Sequence, residues 1–156
     1  MKSSDVEKSD LRKLAKHYRR ALDSSDFSMN RIGEEGNCRV GSFPHAACSE
    51  VSEMFGIWLA EAHGITPLFT VHAQIEQGRK WYGTHRWLEY NGIILDLTAD
   101  QFSRELGFPI PPVIVETETR FHREYTAKIF RQLVYYKQDE LLVWMKAIYQ
   151  EIASHL

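Results

Sequence analysis

Residues 85–98 read HRWLEYNGIILDLT, and this stretch predicts a β-hairpin. Two runs rich in strand-forming residues flank Asn91-Gly92, which is the dipeptide that most strongly favours a two-residue hairpin turn. With that turn, Tyr90 lies opposite Ile93, and every other pair across the hairpin follows at the same register. The register matters because a slip of one residue would move each side chain to the other face of the sheet.

The predicted register divides the hairpin side chains between two faces, because successive residues of a strand point in opposite directions. One face carries mostly apolar side chains and is expected to form the core: Leu88, Tyr90, Ile93, Leu95 and Leu97, together with Arg86. The other face carries the side chains that could take part in catalysis or binding: His85, Trp87, Glu89, Ile94, Asp96 and Thr98. His85 and Asp96 are diagonal neighbours at about 7–8 Å between backbones, so the carboxylate can reach an imidazole nitrogen.

Around the hairpin, the apolar pattern alternates between helical and strand periodicity. Helices are predicted from Ser4 and Glu7, which have capping-box spacing, to Asp23, then from Cys48 to a stop at Gly64, and finally over about residues 139–154. Strands are predicted at 67–75, 81–90 and 93–98 and around 113–115, while 126–136 fits either a strand or a helix. Residues 24–47 form a long polar loop rich in glycine. We therefore expect an α+β fold of one domain, 1–156, with helices outside a mostly antiparallel sheet.

The composition of the 156 residues is that of a soluble globular domain, with 44% apolar and 26% charged residues and a net charge of −2. This balance argues against a nucleic-acid partner, which would require a strongly basic surface. No apolar run is long enough to span a membrane, and the N-terminus has no signal-peptide pattern, so we expect a cytoplasmic protein, with secretion by another signal left open. Cys38 and Cys48 are too few for a disulfide framework and are expected to be free thiols.

Cys48 is the candidate nucleophile. An average free cysteine is an inert core residue, but this one begins an amphipathic helix, where partial positive charge and unpaired N–H groups favour the thiolate. The same N–H groups could stabilise an oxyanion. A histidine held by an aspartate is the orienting half of a nucleophilic triad, so Cys48, His85 and Asp96 together predict thiol catalysis.

The runs FPHAACSEVS at 43–52 and HRWLEYNGIILDLTADQF at 85–102 resemble the transglutaminase-like superfamily of papain-fold thiol enzymes, in particular small bacterial members of unassigned substrate. The resemblance covers about residues 43–102. It implies a papain/transglutaminase-like core, a Cys-His-Asp triad at Cys48, His85 and Asp96, and a thioester intermediate. Arg86 departs from the small residue often found after the histidine, which would narrow one side of the cleft.

Three further residues are candidates for the substrate cleft or the oxyanion site. Trp87 is interpreted as a cleft wall, whereas Gln101 could donate to an oxyanion, although a polar residue at a helix start explains it better. His45 precedes Cys48 by three residues, and together with His72 it raises the alternative of a metal site. A stable zinc site needs three or four such ligands, so no metal and no cofactor are expected.

The sequence therefore predicts a cysteine-dependent enzyme that cleaves or exchanges an amide-type bond in a peptide, a protein or a small amide. Peptidase, deamidase and transglutaminase activities remain open, with hydrolysis as the default because water is always present. Two alternatives belong to other classes. One is a noncatalytic binding module of the same fold, and the other is a metal-binding protein using His45, Cys48 and His72.

Overall fold

The computed structural model describes residues 6–27, 43, 47–75, 83–134 and 143–156. In chain order the regular elements are α1 Lys8–Ser24, α2 Cys48–His63, β1 Phe69–Gln74, β2 Thr84–Tyr90, β3 Ile93–Asp96, a 3₁₀ turn Ala99–Phe102, α3 Ser103–Leu106, β4 Ile114–Glu116, α4 Arg120–Arg123, β5 Ala127–Gln132 and α5 Val143–Ala153. In the described part of the chain, no helix combines the length and the apolar character needed to cross a bilayer.

The predicted hairpin is confirmed. Asn91 and Gly92 have φ values of 48° and 74°, and two consecutive positive φ angles define the turn type that matches the twist of paired strands. Leu88 lies opposite Leu95, and Tyr90 lies opposite Ile93. The register on which the proximity of His85 and Asp96 depends is therefore present.

The hairpin forms the centre of a five-stranded sheet with the order β4-β3-β2-β1-β5. All four neighbouring pairs are antiparallel, which confirms the predicted fold class at the level of α+β. The ambiguous segment 126–136 contains β5, which pairs with β1 along its whole length. Since β5 is the sheet edge and mostly exposed, pairing with β1 rather than an apolar periodicity decides its structure.

One face of the sheet packs against α2, which begins at Cys48 and ends before Gly64, as predicted. Gly64 adopts a φ of 64°, a left-handed conformation that closes the helix with little strain in glycine. The side chains of α2 that share this core are Val51, Met54, Phe55, Ile57, Trp58 and Leu59. Ala62, near the end of the helix, is exposed. The N-cap of α1 is Glu7, which makes no side-chain capping bond, and Ser4 lies outside the described residues.

The opposite face of the sheet is also buried, so the sequence prediction of a single core face is incomplete. Within residues 99–125, a 3₁₀ turn and two one-turn helices cover this face, while β4 extends the sheet beside β3. Their contribution completes a second apolar cluster of Val71, Ala73, Trp87, Ile94, Ala99, Ile110, Ile114, Phe121 and Tyr125. His85 and Asp96 lie on this covered face, each 1% exposed.

Candidate functional site

The side chains of His85 and Asp96 are in direct contact, as the hairpin register predicts. His85 Nε2 lies 2.6 Å from Asp96 Oδ2, a short distance typical of a charge-assisted hydrogen bond. The carboxylate has only lone pairs to offer, so the imidazole donates. This bond fixes the orientation of the ring and assigns a proton to Nε2.

The hydrogen bonds of the second oxygen of Asp96 determine where β3 ends and how the next residues turn. Oδ1 accepts hydrogen bonds from the backbone N–H groups of Thr98 at 2.9 Å and Ala99 at 3.1 Å. A carboxylate that accepts from the backbone two and three residues ahead turns the chain out of the strand. The predicted strand 93–98 therefore stops at Asp96, and the 3₁₀ turn begins at Ala99.

A second histidine, which the sequence analysis did not identify, shares the same carboxylate. His122 Nε2 lies 3.0 Å from Asp96 Oδ2, and His122 Nδ1 lies 2.6 Å from Thr119 Oγ1. In a neutral His122, Nδ1 accepts from the Thr119 hydroxyl while Nε2–H donates to Asp96. His122 belongs to α4, a single turn whose placement depends on tertiary packing, so its proximity to Asp96 has no signal in the local sequence.

Aromatic rings surround the buried imidazole of His85. The rings of Trp87, Phe102, Phe121, Tyr125 and His122 lie 5.2–6.4 Å from it, measured between centroids. These neighbours exclude water, so the interaction between His85 and Asp96 acts at low effective dielectric. The charge of Asp96 is therefore expected to dominate the titration of His85.

Burial alone would lower the pKa of His85, but the charge and hydrogen bond of Asp96, with a smaller contribution from the Cys48 side chain, raise it to about 9. Burial would likewise raise the pKa of Asp96, but the contacts with His85 and His122 hold it well below its usual range. At neutral pH the pair is therefore an imidazolium with a carboxylate.

The remaining nitrogen of His85 is available for a further partner. Nδ1 is buried and makes no hydrogen bond of ordinary geometry, whereas the Cys48 side chain is close enough to raise the pKa of His85. Cys48 is partly exposed and is the first residue of α2. A partly accessible thiol at a helix N-terminus thus lies near a buried imidazolium.

Arg19 supports the loop that follows Asp96. Arg19 of α1 is buried. It donates to the Leu97 carbonyl at 2.9 Å and to both carboxylate oxygens of Asp100 at 2.9 and 3.0 Å. It also donates to the Pro112 carbonyl at 2.9 Å. One guanidinium therefore ties α1 to the segments on both sides of the site.

The other described candidates, Trp87 and Gln101, make contacts that differ from their predicted roles. Trp87 is 0% exposed, and its indole N–H donates to Glu89 Oε1 at 3.0 Å, so it packs in the second core and does not form an open cleft wall. Gln101 Nε2 donates to the Thr98 carbonyl at 2.8 Å, which is a local bond at the start of the 3₁₀ turn. His45 lies outside the described residues.

The residues that could bind a metal ion differ from those that the sequence suggested. His72 lies opposite Arg86 in the sheet, and therefore on the face away from His85. Among the described residues, the cluster with the geometry to hold an ion is instead His85, Asp96 and His122, whose ligand atoms lie within 4.8 Å of one another. Two imidazoles and a carboxylate are ligands suited to zinc.

Comparisons of the chain with protein-family models, with curated proteins and with solved structures found no match. The chemistry of the site therefore rests on its own residues.

Proposed function

We propose that this chain is a cysteine-dependent acyl-transfer enzyme in which Cys48 is the nucleophile, His85 the proton carrier and Asp96 the positioning residue. The observation that supports this most directly is the asymmetry of His85. Its Nε2 is bound to Asp96, while its buried Nδ1 is free and the Cys48 thiol is near enough to influence its titration. An imidazole held by a carboxylate at one nitrogen, with a thiol nearby, is the arrangement that thiol catalysis requires.

The proposed reaction follows from these positions. Cys48 Sγ attacks the carbonyl carbon of an amide, and the imidazolium of His85 gives its proton to the leaving nitrogen as the C–N bond breaks. A thioester on Cys48 remains. Water then attacks this thioester and gives a proton to His85, and the C–S bond breaks to release the acid and the Cys48 thiolate. Free N–H groups in the first turn of α2 would stabilise the oxyanion.

Within this proposal we retain the papain/transglutaminase-like core, since the order helix with cysteine, strand with histidine, strand with aspartate agrees with the resemblance of residues 43–102. Hydrolysis is the default outcome, and deamidation or transfer to an amine uses the same thioester. A peptide, a protein or a small amide would serve as substrate. The small number of cysteines supports a reducing compartment, the cytoplasm.

The test is the alkylation rate of Cys48 with iodoacetamide at pH 7 in a Cys38→Ser background, which leaves a single thiol. Because a neighbouring imidazolium favours the thiolate, Cys48 should react at least about tenfold faster than a model thiol with a pKa near 8.5. His85→Gln should remove this excess, and the matched variant His63→Gln, at the exposed far end of α2, should retain it. Reaction no faster than the model thiol, unchanged in His85→Gln, would favour a noncatalytic binding module.

A second candidate is a metal centre, which the cluster of His85, Asp96 and His122 favours. Elemental analysis of the purified protein distinguishes it from the thiol enzyme. Zinc bound at one equivalent and lost in His122→Gln would support the metal centre. Fast alkylation of Cys48 that persists after treatment with a chelator would support the thiol enzyme.

A further inference from the structure

A small pocket lies on the face of the sheet opposite the aromatic shell of His85. It has a volume of about 110 Å³ and is lined by Glu53, Thr70, His72, Arg86, Ile129 and Arg131. We call this the anion pocket. No residue of the pocket belongs to the group of Cys48, His85 and Asp96.

The register of the sheet brings the basic side chains of the anion pocket together. His72 lies opposite Arg86 on β2 and opposite Ile129 on β5, and Thr70 lies opposite Arg131. Residues paired across strands share a face, and diagonal neighbours are within reach of long side chains. Two guanidinium groups and one imidazole therefore converge on the same area.

Glu53 of α2 lines the other side of the pocket. Arg86 donates to Ser49 Oγ at 2.7 Å, and Glu53 lies four residues after Ser49, on the same side of the helix. Cys48 precedes Ser49 directly. The bond from Arg86 to Ser49 therefore connects the anion pocket to the first turn of α2, which carries the proposed nucleophile.

The basic groups are incompletely neutralised. The described ion pairs include none for Arg86 or Arg131, and the described side-chain partner of Arg86 is the neutral Ser49 hydroxyl. Burial and the positive charges of Arg86 and Arg131 lower the pKa of His72. Burial raises the pKa of Glu53, although the charge of Arg86 opposes this rise. The lining therefore carries two guanidinium groups against one carboxylate.

We propose that the anion pocket binds a small anionic group, a carboxylate or a phosphate, and that it selects substrates carrying such a group near the bond attacked by Cys48. Guanidinium groups fit both anions because their N–H donors form two parallel hydrogen bonds. The volume suits a single charged group. The second half of the proposal rests on the proposed function, whereas anion binding does not.

Anion binding is tested by titrating the protein with sodium phosphate or sodium acetate at constant ionic strength while the imidazole resonances of His72 are followed by NMR. A saturable shift with either anion is expected, together with a rise in the pKa of His72, because a bound anion favours its charged form. Arg131→Gln should weaken binding by about tenfold, the effect of losing a charge-assisted hydrogen bond. Arg104→Gln, an exposed position on α3 with the same change of charge, should bind as the wild type does.

A response that does not saturate, or that is equal in Arg131→Gln and the wild type, would overturn anion binding. The link to Cys48 is tested by the ratio of its alkylation rates with iodoacetate and iodoacetamide, which should fall in Arg131→Gln and stay constant in Arg104→Gln. A ratio unchanged in both variants would overturn the substrate role. Slow reaction with iodoacetamide itself would instead count against the proposed function, so the two failures are distinguishable.

Discussion

Replacing Asp96 by asparagine should return the pKa of His85 from about 9 to 6.5 or below. Asp96 raises the pKa of His85 both by its charge and by its hydrogen bond, against a burial effect that lowers it. The neutral amide removes the charge and leaves the burial. A change of this size corresponds to at least about 3.5 kcal/mol of lost stabilisation of the imidazolium, at about 1.4 kcal/mol for each pH unit.

The hydrogen bonds of Asp96 predict more than a loss of charge. Its Oδ1 accepts from the N–H groups of Thr98 and Ala99, so the carbonyl oxygen of an asparagine would take that position. The amide NH₂ would then point toward the two imidazoles, and Nε2 of His85 would have to accept. A neutral His85 would carry its proton on Nδ1 and could no longer take a proton from Cys48.

The assay is an NMR titration of ring-labelled histidine from pH 5 to 10, with His85 assigned by its absence in His85→Gln. In Asp96→Asn, the rate at which iodoacetamide alkylates Cys48 at pH 7 should fall by at least about tenfold. A pKa change of one unit already alters the ratio of protonated to neutral His85 by that factor. Asp100→Asn is the matched control, because it removes a carboxylate from the same loop that pairs with Arg19. A folded Asp96→Asn protein whose His85 still titrates above pH 8 would refute the reasoning.

Three further outcomes are expected. Gly56→Ala should lower the free energy of unfolding, measured with urea, by about 1–2 kcal/mol. An added Cβ would lie 2.5 Å from Leu133 Cδ2, and this overpacking outweighs the better helix propensity of alanine. A more stable variant would contradict this. Arg19→Gln should lower the free energy of unfolding by about 3–5 kcal/mol, because it leaves the carboxylate of Asp100 without its buried partner. A loss below about 1 kcal/mol would show that this ion pair contributes little to stability. The raised pKa of His85 contributes stability that is complete below about pH 6.5 and is lost as pH rises through 9, so urea unfolding between pH 6 and 10 should show a decline that is smaller in His85→Gln.

The local pattern of the sequence was sufficient for the hairpin and for α2. Asn91-Gly92 determines the turn by its tolerance of positive φ, and the turn determines which side chains of β2 and β3 share a face. The contact between His85 and Asp96 follows from that register. Cys48 could be placed at the start of α2 because the apolar stripe and the stop at Gly64 set the length of the helix.

Tertiary structure decided the environment of the site. His122 reaches Asp96 from a single-turn helix that has too few residues for a periodic signal, and the closure of residues 99–125 over the sheet encloses His85 in aromatic rings. The presence of Arg131 in the same pocket as Arg86 likewise depends on β5 pairing with β1. A sequence determines interactions between near neighbours through backbone geometry, whereas contacts between distant segments depend on how whole surfaces pack. The burial that sets the charge state of His85 therefore appears only in the folded chain.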